Sequence, residues 1–138
     1  MPKSCEELGR VLALDASAER SESHGTIGAA IAQAAIGLTL MTGAPCHLSR
    51  DSHYQMANRF AWAWKLAELG VPVVLVYLDF LNADEMNDRG APFAKHSDWE
   101  ELVQAHTARL FDVDPWERRW TGTGRCLVPL IRSVEISL

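Results

Sequence analysis

Gln55, Asn58, Arg59 and Trp62 are spaced three, four and seven residues from the first of them. On a helix that spacing puts them along one stripe. Two amides, a guanidinium and an indole in a row can meet phosphate oxygens and base faces. The same four side chains can also serve a helix that only bonds neighbouring loops and a sheet edge. A second group, Asp15, Glu19, Glu22 and His24, falls within ten residues. Carboxylates suit a hard divalent cation. Their spacing matches no recognised metal motif, and a solvated loop between a strand and a helix has the same composition. Cys46-His47 with His53 offers softer donors, but no second cysteine lies nearby in sequence. Thr121-Gly122-Thr123-Gly124-Arg125 can present backbone N–H groups and a guanidinium to an anion, or turn the chain before a strand. Gly25-x-x-Gly28 has two glycines of a nucleotide loop and lacks the rest.

These residues need elements to position them. Val11 to Leu14 reads as a short strand ending at Asp15. Thr26 can cap a helix whose Ile27, Ala30, Ile31, Ala34 and Ala35 repeat at helical spacing, with Gly37 or Thr42-Gly43-Ala44-Pro45 ending it. Ser49-Arg50-Asp51-Ser52 supplies caps for a helix over Tyr54 to Leu69, which stops at Gly70. Met56, Ala57, Phe60, Ala61, Ala63, Trp64 and Ala67 share its broad apolar face. Val71 to Phe80 is apolar at successive positions, the pattern of a central strand covered by helices on both sheet faces. A further helix is expected over Asp98 to Leu110 with Ser97 as its cap. Cys126 to Ile131 and Val134 to Ile136 read as strands, Pro129 making the first an edge or two pieces. Trp99, Trp116 and Trp120 read as packing anchors. Leu110-Phe111 with Trp116 and Trp120 is the alternative, a patch for a partner. The expected fold is a single α/β domain over residues 1–138, a small mixed sheet flanked by helices.

Composition narrows the function classes. The chain has 138 residues, 48% hydrophobic and 22% charged, which suits one folded domain. Its net charge of −5 lacks the basic excess of a dedicated duplex-DNA binder, so nucleic acid would need a local cluster. Three scattered cysteines, Cys5, Cys46 and Cys126, without a CxxC pair point to reduced thiols and a cytoplasmic protein. The first ten residues carry Glu6 and Glu7 and do not read as a signal peptide, and Val71 to Leu78 is too short to cross a bilayer, so no membrane is expected as a partner.

Tyr54-Gln55-x-Ala57-Asn58-Arg59-x-Ala61, then a helix end and Gly70-Val71-Pro72-Val73 running into the strand to Phe80, resembles the C-terminal half of the PD-(D/E)XK nucleases. The resemblance extends over Val11 to Asn82. It implies a restriction-endonuclease-like core lacking its N-terminal elements, and Mg²⁺-dependent phosphodiester hydrolysis. In that family an acid-x-lysine pattern on an earlier strand binds the metal and stabilises charge on phosphorus. The resemblance puts Asp15 in the acid position as catalytic residue and metal ligand, with Glu19 or Glu22 assisting. It makes Gln55 the residue that orients water or phosphate, and Asn58, Arg59 and Trp62 the substrate contacts. Ser17 stands where the lysine belongs, and only 14 residues precede Asp15, too few for the strand that brings the upstream aspartate. A catalytically incomplete domain that keeps nucleic-acid or phosphate binding is therefore expected. Its rivals are a non-catalytic module binding a protein partner or a second copy of itself, and a small-molecule α/β domain using the loop after Leu14 and the carboxyl end of the Val73 to Phe80 strand.

Overall fold

The computed structural model describes residues 25–50, 53–84, 90–122 and 125–136. Helix α1 is described over Gly25–Thr42. It is followed by α2 (Tyr54–Glu68), β1 (Val73–Leu81), α3 (His96–Thr107), β2 (Trp120–Gly122) and β3 (Arg125–Glu135). The strands form one mixed sheet in the order β1-β3-β2. β1 runs parallel to β3, with Val73 opposite Leu127 and Leu81 opposite Glu135. β2 runs antiparallel to β3, with Trp120 opposite Leu127. This is the small mixed α/β sheet with helices that the sequence pattern predicts. The strand expected at Val11 to Leu14 lies outside the described residues, as do the capping candidates Asp51 and Ser52.

Helix α2 carries the core. Met56, Ala57, Phe60, Ala61, Ala63, Trp64 and Ala67 are its buried residues, the same seven that helical periodicity selects. It stops at Gly70, whose φ of 87° suits a residue without a Cβ. The Gly70 N–H donates to Ala67 O and the Val71 N–H to Leu66 O, each at 3.0 Å. These two bonds satisfy the last carbonyls of the helix. Phe60 then sits in an aromatic cluster, 4.8 Å from Phe111 and 5.6 Å from Trp116 between ring centroids, with Tyr77 5.2 Å from Trp116. A buried hydroxyl ties the cluster together. Thr107 Oγ1 accepts from Trp116 Nε1 at 2.9 Å and donates to Val103 O at 2.6 Å. Leu110, Phe111 and Trp116 are therefore interior, and the partner patch expected as an alternative there is not formed.

Expectations are corrected in four places: β1, α1, α3 and Pro129. β1 lies at an edge of the sheet, and the helices cover one sheet face only among the described residues. Tyr77 and Leu81 are buried under them, whereas Val74 and Val76 on the opposite face are 60% and 46% exposed. The run VVLVYLDFL is apolar on both sides, so its pattern cannot tell a strand covered twice from one covered once. Gly37 does not end α1; it lies inside the helix because a Cβ there would collide with the Trp64 indole. Thr26 is likewise within the helix. Helix α3 begins at His96 after Lys95, ahead of the expected Ser97 cap, and ends at Thr107.

Pro129 is the fourth. It neither splits β3 nor puts it at an edge: β3 is one eleven-residue strand in the centre. In an extended strand the N and O of one residue point to the same side. Pro129 O accepts from the Glu117 N–H at 2.9 Å, so the proline nitrogen faces the loop before β2 and not β1. No ladder bond is required there, because β2 pairs only with residues up to Leu127. Glu117 stands in for the missing strand. Its carboxylate accepts from the Ile131 N–H at 3.3 Å and grips the Arg132 guanidinium with both oxygens. Glu117 adopts φ 60° to do so.

Candidate functional site

The predicted stripe is present on the outward side of α2. Gln55 and Arg59 are exposed, Asn58 is half-buried and Trp62 is 64% exposed. Helical spacing fixes their alignment, and the buried seven on the opposite side fix the direction in which they point. Arg59 is held on two sides. Its Nη2 donates to Gln55 Oε1 at 3.3 Å, and its guanidinium carbon lies 5.5 Å from the centre of the Tyr77 ring. A cation over a ring face is attracted by the ring quadrupole. Burial pushes the Tyr77 hydroxyl above its ordinary value, with Arg59 opposing that shift. Tyr77 therefore stays a neutral phenol under the guanidinium.

Trp62 and Asn58 also line a groove of about 250 Å³ between α2 and the first half of α1. Thr26, Ile27, Ala30 and Ile31 form one wall; Ala61, Trp64 and Lys65 complete the other. The floor is apolar, since Ile31, Ala61 and Trp64 are buried. Lys65 bonds Glu68 at 2.9 Å and lies 5.9 Å from the centre of the Trp64 ring. Periodicity identifies the Trp62 side of α2 as neither cleanly polar nor apolar. It does not reveal that α1 stands beside it, and Lys65 was missed for that reason.

Asp15, Glu19, Glu22 and His24, and Ser17 with them, lie outside the described residues. Among the described residues no group of three His, Cys, Asp or Glu side chains could hold a metal ion. The described donors alone do not fit Mg²⁺. Cys46, His47 and His53 do not converge either: His47 Nε2 lies 3.0 Å from Asp112 Oδ1, and the His53 ring meets that of His106 edge-on at 5.2 Å. Burial pushes the Cys46 thiol up to about 12, which leaves it protonated and unreactive as a nucleophile. Of the loop after Trp120, Thr121 and Gly122 belong to β2 and Arg125 to β3, so the segment turns a hairpin.

Two further features bear on function. The uncovered sheet face pairs Val74 with Val128, Val76 with Leu130, Leu78 with Arg132 and Phe80 with Val134, seven apolar side chains out of eight. Among the exposed large apolar residues are Val74, Val76, Leu78, Phe80 and Val134. At the carboxyl end of the parallel pair, His96 Nδ1 lies 2.8 Å from Ser133 Oγ, and Ser133 is opposite Asp79 in the register. One Asp79 oxygen is buried with no hydrogen-bond partner. Helix α1 has 18 residues without a charged side chain, long and apolar enough to cross a membrane. Its Ile31, Ala34 and Leu38 are buried in the core cluster, whereas Ile36 and Leu40 are 66% and 79% exposed. Comparison with protein-family models, with curated proteins and with solved structures returns no match.

Proposed function

We propose that this chain is a PD-(D/E)XK-like nuclease-fold domain that is catalytically incomplete and retains nucleic-acid binding through the outer stripe of α2. The observation that carries this reading is the Gln55–Arg59 pair. Arg59 is exposed, yet fixed by Gln55 Oε1 and by the Tyr77 ring, so its guanidinium is presented in a set orientation. A guanidinium oriented in advance loses less freedom on gripping a phosphate than a mobile lysine does. Asn58 adds an amide beside it. If hydrolysis survives, Asp15 and Glu19 would be its Mg²⁺ ligands.

The test combines binding and cleavage on the full chain. Labelled single-stranded and duplex DNA are titrated while wild type, Gln55→Ala and Arg59→Ala are followed by fluorescence anisotropy. Plasmid and single-strand cleavage are assayed in parallel with Mg²⁺ and Mn²⁺. The expected result is binding that Arg59→Ala weakens by about tenfold, the scale of one lost charge-assisted contact, and no cutting. Metal-dependent cutting abolished by Asp15→Ala would make this a working enzyme. Absence of any nucleic-acid binding would remove the reading altogether.

The second reading is a protein-interaction module, favoured by the uncovered apolar sheet face. Single exposed apolar residues are ordinary, but a contiguous patch of this kind marks interaction surfaces.

A further inference from the structure

We propose that the groove between α1 and α2 receives one unpaired base of a single-stranded nucleic acid, stacked on Trp62. The inference rests on the nucleic-acid reading above and adds its substrate form. Trp62 is the starting point. An indole that is 64% exposed on a core helix lies mostly open to solvent. It stands on the rim of a groove whose floor is apolar and whose corner carries the Asn58 amide. A π-face, an apolar slot and one amide are what a single base requires: stacking on its face and a hydrogen bond at its edge. At about 250 Å³ the groove is smaller than a drug-sized ligand site and suits one ring system.

Charge selects the partner. Helix α1 has no charged side chain, and residues 25–68 hold Arg50, Arg59 and Lys65 against Asp51 and Glu68, in a chain of net charge −5. The groove therefore lies in a stretch where cations outnumber acids by one. The Arg50 side chain lies against Gly28, the residue after groove-lining Ile27. Lys65 lines it from α2. Arg59, and Lys65 on exchanging Glu68, can meet the phosphates on either side of one inserted base. They are too few for a duplex, whose binding draws on many phosphate contacts at one charge per about 1.7 Å of axis. A duplex also keeps its bases stacked on one another and offers Trp62 no free face.

The experiment uses the full chain with labelled oligo(dT), a blunt duplex and free thymidine monophosphate, followed by anisotropy and tryptophan fluorescence. Oligo(dT) should bind more tightly than duplex and quench tryptophan emission. Its affinity should fall gently with salt, with a slope near that of one or two phosphates at about −0.7 each. Trp62→Ala should weaken oligo(dT) binding about tenfold or more, within the range for one base–aromatic stack of about 1–3 kcal/mol. Trp62→Phe should recover most of it. Ala30→Leu, which fills the groove from α1 and leaves Trp62 in place, should give the same loss. Both sites are exposed, and thermal unfolding confirms that the variants fold. Duplex binding as tight as oligo(dT), or Trp62→Ala and Ala30→Leu without effect while Arg59→Ala still weakens binding, overturns the base groove and leaves the broader reading standing. Failure of every nucleic acid to bind overturns both. Tight binding of the monophosphate without oligo(dT) binding, or self-association that Trp62→Ala abolishes, gives the groove to another occupant and overturns the proposal.

Discussion

The two faces of the sheet are built from the same kinds of residue and meet opposite surroundings. Tyr77, Leu127 and Ile131 point into the aromatic cluster under α2 and α3. Val74, Val76 and Leu78, which alternate with Tyr77 along β1, point away and stay exposed. Apolar content alone therefore does not decide burial here; the side of the pleat does, because successive residues of a strand face opposite ways. The covered face has the geometric devices of a core: ring contacts near 5 Å, a satisfied buried hydroxyl and a glycine seat for an indole. Among the described residues the other face has none of these, and it should be replaceable without loss of the fold.

The largest effect that could break this comparison is at Phe60. Phe60→Ala removes a side chain only 1% exposed and should cost about 3–5 kcal/mol in urea unfolding, whereas Val76→Ala on the other face should cost less than about 1 kcal/mol. Equal losses at the two positions would show that something covers the exposed face. Next comes Gly37. Alanine is the better helix former by about 1 kcal/mol, so Gly37→Ala on an open helix would stabilise. Against the Trp64 indole it should destabilise by about 1–3 kcal/mol through overpacking, and a smaller residue at 64 should relieve the penalty. A stabilising Gly37→Ala would mean that α1 does not lie on Trp64.

The smallest effect is electrostatic and sits at the seam between the faces. The Arg132 guanidinium hydrogen-bonded to Glu117 holds that carboxyl below its ordinary 4.5. A depressed carboxylate contributes stability that is present above 4.5 and is lost as the pH falls through the depressed value. Both groups are exposed, so solvent screens the pair and the contribution is small. Wild type should exceed Glu117→Gln in stability at neutral pH, and the two should converge in acid. A difference that persists or grows in acid would mean that Glu117 acts through its backbone turn alone.

Much of this was legible because the relevant rules are local. The seven buried residues of α2 follow from helical spacing, and its end at Gly70 follows from the chemistry of a left-handed cap. The stripe from Gln55 to Trp62 follows from the same periodicity. What could not be read depends on neighbours distant in sequence. Nothing in VVLVYLDFL tells which of its two apolar sides is covered, and nothing near Pro129 shows that Glu117, twelve residues earlier, will take over from a strand. Gly37 carries an ordinary stop signal until Trp64 is known to lie against it. The groove needs α1 and α2 side by side, so Lys65 could not be joined to Asn58 and Trp62 beforehand.

The replacement of a strand by Glu117 gives the sheet a direction of growth. On that side of β3 the proline has no donor to offer and the Glu117 clip occupies the next acceptor and donor, so an added strand finds no template beyond Leu127. β2 has only three residues, too few to seed an extended pairing. β1 is nine residues long and has no proline or lysine within it to discourage pairing. Among the described residues, strand addition, whether by a segment of another molecule or by a misassembled copy of this one, therefore has an unpaired border at β1 and is terminated at the other.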